Sequence, residues 1–202
     1  MSTKRLFYIA FFAVLVIGFY LAMGQLIPGF TTQVIKPLGT IRPFTFYNQN
    51  GQAVTEKAMA GKVTAVEYFF TTCRGICPRM NNNMRKVYDT YKGEKDFLIL
   101  SHTCDPLNDN PDQLKRYADS MKVDTNKWVF LTGRKDSLYN MARHVYKIDD
   151  PKNNVGSIDD DFLHTQFIAL VNKKGDVMKV YDALKESEIK ELKDDIARYL
   201  KQ

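Results

Sequence analysis

The chain has 202 residues, of which 45% are apolar and 26% charged, and a formal net charge of +6. That length suits one ordinary globular domain, and the composition excludes a disordered or collagen-like chain. Three cysteines are too few for a disulfide-stapled scaffold. With no nucleic-acid motif and no basic run beyond two or three residues, the positive charge describes a mildly basic surface, and no nucleic-acid partner is expected.

Leu6 to Met23 is an 18-residue stretch without a charge, preceded by Lys4 and Arg5. It approaches the roughly 20 residues a bilayer-crossing helix needs and exceeds the usual 7–15-residue core of a cleaved signal peptide. A retained single-pass anchor over residues 1–23 is therefore expected, although the small-residue site at Ala22-Met23-Gly24 keeps cleavage open. Lys4 and Arg5 favour a cytoplasmic N-terminus. The expected location is thus the cytoplasmic (inner) membrane, with the remainder on the periplasmic or extracytoplasmic side. Gly, Pro and Thr punctuate residues 24–40, which read as a linker leading to a folded domain over 41–202.

Within that domain, two short strands flank Asn50-Gly51, a hairpin signal. The β-branched and aromatic run Val63 to Phe70 suits a central strand. Met80, Met84, Val87, Tyr88 and Tyr91 then recur at helical spacing, with a start obscured by the poor helix formers Asn81–Asn83. Strands Phe97–Ser101 and Trp128–Leu131 follow, each succeeded by a helix (Leu114, Tyr117, Ala118, Met121; then Leu138, Met141, Ala142, Val145). After a long acidic loop, Ile148 to Leu163, come strands QFIALV and VMKVY around Lys174-Gly175-Asp176. A last helix carries Ile189, Leu192, Ile196 and Leu200. Alternating strands and helices with a closing hairpin predict an α/β fold with a mixed sheet flanked by helices.

Cys73 and Cys77 lie between the first central strand and its helix, where α/β sheets bind ligands. A helix N-terminus there lowers a thiol pKa through unpaired N–H groups and the positive dipole end. Gly75 is expected to permit a tight turn, and Pro78 is tolerated in the first helical turn. Of the histidines, His144 reads as solvated, and His102 offers no such argument. His164 ends the long loop and precedes QFIALV. If that strand runs antiparallel to VTAVEYFF, His164 lies beside the cysteines. Two thiols and an imidazole make a three-ligand site: sulfur selects Cu(I), imidazole also suits Cu(II) and zinc, and a closed zinc site would need a fourth ligand. The loop has few apolar residues, so its order must depend on something other than a core; closure around a metal is one expectation.

The segments GKVTAVEYFFTTCRGICPRM, SHTCDPLNDNPDQLKRYA, WVFLTG and DFLHTQFIALVNKKG together resemble the Sco/SenC family of thioredoxin-fold copper proteins, over roughly residues 40–200. The resemblance implies a thioredoxin-like fold. It implies that Cys73 and Cys77 are copper-binding and redox-active and that His164 is the histidine ligand, and it aligns Asp105 with the family's acidic DP turn. It further implies copper delivery to the copper site of cytochrome c oxidase or another respiratory copper protein, or reduction of that site's cysteines by thiol–disulfide exchange. The lack of any proline after Pro151, where thioredoxins keep one facing their cysteines, argues against a general dithiol reductase. A peroxide-reducing relative is disfavoured, because no single cysteine pairs with an activating arginine. Cys104 stands where an apolar residue is expected. It reads either as a small buried hydrophobe or as a third thiol near the pair.

Overall fold

In the computed structural model the described residues are 2–26, 36–153, 157–158 and 160–202. Most of the 24–40 linker, and Asn154, Gly156 and Asp159 of the long loop, lie outside them. The chain divides into two units, residues 1–36 and 37–202.

Among its described residues the first unit has one helix, α1 (Thr3–Leu26), with a mean hydropathy of 2.5 over its most apolar window. At 1.5 Å per residue its 24 residues run about 36 Å, long and apolar enough to cross a bilayer's hydrocarbon core. It continues three residues past Met23, because Gly24-Gln25-Leu26 contains no proline to stop it.

The second unit is built on an eight-stranded sheet. Its strands are β1 (Gly39–Thr40), β2 (Thr45–Asn48), β3 (Ala53–Thr55), β4 (Val63–Phe69), β5 (Phe97–Thr103), β6 (Trp128–Thr132), β7 (Phe167–Val171) and β8 (Asp176–Asp182). They lie in the order β1-β8-β7-β4-β5-β6-β2-β3. Strands β4, β5 and β6 are parallel; β7 runs antiparallel to β4, and β8 to β7. The β2–β3 hairpin turns at Gly51, whose φ of 72° suits glycine, and pairs with β6 at the far edge. Gly39 is already folded onto β8. A Cβ there would sit 2.8 Å from the Val145 carbonyl oxygen, so only glycine lets the backbones approach.

Every residue of β4 and β5 is buried, because helices cover both sheet faces. On one face Val63, Ala65 and Phe69 pack with α2 (Cys77–Tyr91), α3 (Pro111–Met121) and α5 (Glu186–Leu200). On the other, Val66 and Tyr68 pack with α4 (Lys135–Asn140) and the π-helical turn Met141–Tyr146 that continues it. Helix α2 keeps its three asparagines because two are bonded: Asn81 donates to the Tyr117 hydroxyl, and Asn83 donates to the Ala183 carbonyl at 2.8 Å. Strand β5 runs two residues beyond its predicted end, since Tyr68 and Phe69 of β4 extend the ladder to His102 and Thr103.

Candidate metal and redox site

The site grows from the carboxyl end of β4. After Phe69 the chain turns, and the Asp109 carboxylate holds the turn: it accepts from the Thr71 N–H at 3.1 Å and from the Thr71 and Thr103 hydroxyls at 2.5 Å each. Asp109 is itself 1% exposed. This buried carboxylate therefore stitches the loop before Cys73 to the end of β5. Helix α2 then opens at Cys77, with Pro78 in its first turn, where no N–H is missed. Gly75 plays no steric part. It is absent from the positive-φ residues, and a Cβ on it would meet nothing within 4 Å, so the turn does not depend on the glycine the sequence suggested.

The two thiols lie on the same turn and differ in character. Partial burial pushes the Cys73 thiol up, but the Cys77 thiol and the N–H groups of Cys77, Gly75 and Ile76 outweigh it, holding Cys73 below the ordinary thiol value. Burial, then the neighbouring Cys73 thiol, pushes Cys77 up to about 12. The pair thus joins a more acidic thiol just before the helix to a buried partner that holds its proton.

Because β7 is antiparallel to β4, its first residues meet the end of β4 that leads to the cysteines. His164, exposed, lies three residues before β7. Its ring is 4.8 Å from that of Phe162, which in turn meets Phe70 edge-on at 5.2 Å. Cys73, Cys77, Cys104 and His164 line one cavity of about 320 Å³. Among the described residues, no three His, Cys, Asp or Glu side chains are gathered closely enough to hold a metal ion. The thiols and the imidazole share a cavity but are not drawn up as a ligand set.

Cys104 is 3% exposed and packs in the core on the α4 side of the sheet. Burial, with Cys77, Asp109, Cys73 and Asp105 nearby, pushes its thiol well up, so it remains a protonated wall of the cavity. Asp105 organises the next turn, accepting from the Asn108 amide at 2.8 Å, while its N–H donates to the Thr103 hydroxyl at 2.9 Å. His144 is exposed. His102 is fully buried on the α4 side, stacked on Tyr68 at 5.0 Å and 3.3 Å from the Tyr146 hydroxyl, with Nδ1 unpartnered.

Two groups near the site escape a reading of residue spacing. Asp109 shows only as one more acid in LNDNPD. Glu67 sits inside a strand-like apolar run, yet it is fully buried, accepts from Ser101 Oγ at 2.7 Å, leaves Oε2 unpartnered and has a pKa near 7 through burial. A lone acid within VTAVEYFF is the signal that could have found it.

The SCO1/SenC family model matches residues 33–201. The SCO1 protein homolog of Bacillus subtilis is 31% identical over 169 residues, covering 81% of this chain and 85% of that one. Among solved structures, BsSco, described as a member of the Sco family of cytochrome c oxidase assembly proteins with a disulfide switch, superposes with a TM-score of 0.69 at 30% identity over 84% of this chain and 99% of that one. Copper-bound ScoI of Bradyrhizobium japonicum gives 0.60 at 25% identity over 78% of this chain and 98% of that one. The expected thioredoxin-like architecture is therefore present, and the chain belongs to the SCO1/SenC family.

Proposed function

We propose that this chain carries copper to a respiratory copper protein, the copper-site subunit of cytochrome c oxidase foremost, and that Cys73, Cys77 and His164 are its ligands. The supporting observation is that two thiols, the Cys73 one held below the ordinary value, and an imidazole line one cavity. Relatives point the same way: one is described as a cytochrome c oxidase assembly protein and another was solved with copper. Two sulfurs suit Cu(I), and His164 adds the nitrogen that Cu(II) prefers. Cys77 must lose its proton for copper to enter, so uptake releases protons. An incomplete ligand set on a loop suits cargo that has to leave again.

Helix α1 supports a single-pass anchor in this reading, with Lys4 and Arg5 on the cytoplasmic side and the folded unit outside. A second reading, thiol–disulfide exchange that keeps a partner's cysteines reduced, is favoured by the opposite shifts of Cys73 and Cys77: a more acidic attacking thiol and a buried resolving thiol. The two readings share a site, because copper binds only the reduced pair.

Anaerobic copper titration of the reduced full chain in detergent separates them. One copper per chain is expected, with tight binding abolished by Cys73→Ser or Cys77→Ser. His164→Ala should weaken Cu(II) more than Cu(I) and leave disulfide formation intact. Unchanged copper affinity in either serine variant overturns the ligand assignment. Unchanged Cu(II) binding in His164→Ala shifts the balance to thiol exchange.

A further inference from the structure

Residues 161–165 form an irregular segment that belongs to no ladder before β7 begins at Phe167. Their burial alternates: Asp161, Leu163 and Thr165 are 2%, 1% and 8% exposed, whereas Phe162 is 38% exposed and His164 is exposed too. A period of two is that of extended backbone, in which successive side chains point to opposite sides. Without ladder hydrogen bonds, something else must hold the register, and each buried residue has its own tie. Asp161 takes a two-pronged bond from Arg143, with Nη1 at 2.6 Å and Nη2 at 3.0 Å. The Leu163 N–H donates to the Tyr139 hydroxyl at 3.1 Å, and that hydroxyl donates to the Cys104 carbonyl at 2.7 Å. The Thr165 hydroxyl donates to the Ile148 carbonyl at 2.7 Å. Phe162, on the other side, meets Phe70, and His164 lines the thiol cavity together with parts of Leu163 and Thr165.

Of these ties only one is ionic. Arg143 sits on the π-helical turn, 4% exposed, with its Nε bonded to Asp149 at 2.7 Å and its guanidinium 5.5 Å from the Tyr139 ring centroid. A guanidinium fork held on two edges and one face has a fixed direction, so the carboxylate it grips is fixed too. A slip of one residue along the segment would bury Phe162 and His164 and expose Leu163. It would also pull Asp161 out of the fork.

We infer that Arg143 is a positioning residue for His164: by gripping Asp161 it holds the segment in the register that turns His164 toward Cys73 and Cys77. The inference rests on the reading of His164 as a copper ligand, and its test separates the two. Asp161→Ala cuts the segment loose while leaving the Arg143–Asp149 pair intact, so no charge is stranded. Arg143→Lys, the milder variant, keeps the charge and loses the fork. In the metal-free full chain, amide exchange at Leu163 should accelerate about tenfold or more in Asp161→Ala and less in Arg143→Lys, with β4 and β5 unchanged. Cu(II) affinity should fall about tenfold, the lower end of what loss of an orienting outer partner costs, and the nitrogen coupling from imidazole in the Cu(II) resonance spectrum should weaken. Cu(I) affinity should change less than about threefold. Adding His164→Ala to Asp161→Ala should then cost little more Cu(II) affinity, a coupling that general loosening of the fold would not produce. If His164→Ala weakens Cu(II) binding but Asp161→Ala and Arg143→Lys bind and exchange like the native chain, the positioning role is overturned and the ligand reading stands. If His164→Ala alone has no effect, the ligand reading falls, and accelerated exchange at Leu163 would still report the clamp.

Discussion

Cys73 and Cys77 are four positions apart yet live in different electrostatic environments. N–H groups of the turn that leads into α2 converge on Cys73, whereas Cys77 is 5% exposed. Thiolates, not thiols, react with alkylating agents. Iodoacetamide should therefore modify Cys73 first in the reduced protein, with a rate that rises through a pH range below that of an ordinary cysteine. Cys77 and Cys104 should react only on unfolding. Mass spectrometry of the partly alkylated chain at pH 7 checks this, and preferential labelling of Cys77 would reverse the assigned roles. Cys104 shows how local sequence misleads. Its place in HTCDP allowed a third reactive thiol, and its burial makes it a wall of the cavity.

Strands β4 and β5 carry an opposed pair of buried titratable groups. Glu67 lies opposite Ser101 and Tyr68 opposite His102, so Glu67 and His102 point to opposite faces of the sheet. Burial raises Glu67 from 4.5 to about 7 and lowers His102 from 6.5 to about 3. The folded Glu67 binds a proton that the unfolded chain has lost, so its stabilising effect is complete below pH 4.5 and disappears as pH rises through 7. The folded His102 refuses a proton the unfolded chain takes, so its effect is complete above pH 6.5 and is lost as pH falls toward 3. Each alone gives a slope of about 1.4 kcal/mol per pH unit, with opposite signs, and between pH 4.5 and 6.5 the two cancel. Glu67→Gln should accordingly uncover a loss of stability on acidification across that window, and His102→Phe a gain. Urea unfolding at pH 4.5, 5.5 and 6.5 measures both; parallel pH profiles for native and variant chains would show that neither group is as buried as described.

The whole chain joins an apolar helix of membrane-spanning length to a folded unit with reactive sulfur. On the proposed topology, with Lys4 and Arg5 inside, Cys73 should be open to a membrane-impermeant maleimide added to intact cells, and the protein should sediment with membranes. Replacing Lys4 and Arg5 with glutamate should weaken that orientation and lower the labelled fraction several-fold. Labelling only after cell lysis would invert the topology.

Much of this was legible in residue order. The uninterrupted apolar run, the Asn50-Gly51 hairpin, the strand–helix alternation and the cysteines at a strand's carboxyl end all depend on local chemistry: side-chain hydropathy, turn propensity and helix-start geometry. Even the place of His164 followed once β7 was taken as antiparallel to β4. What spacing could not show is which charged groups are buried and what they grip. Asp109 reaches back 38 residues to Thr71, Arg143 reaches forward 18 to Asp161, and Glu67 lies among apolar neighbours that raise its pKa. A carboxylate's burial and partners are set by whichever segments the fold packs against it, and a buried charge persists only where a partner has been brought within hydrogen-bond reach. Those meetings exist only in the folded molecule. They decide that the long acidic loop, with so few apolar residues, still ends in a segment held in one register beside the thiols.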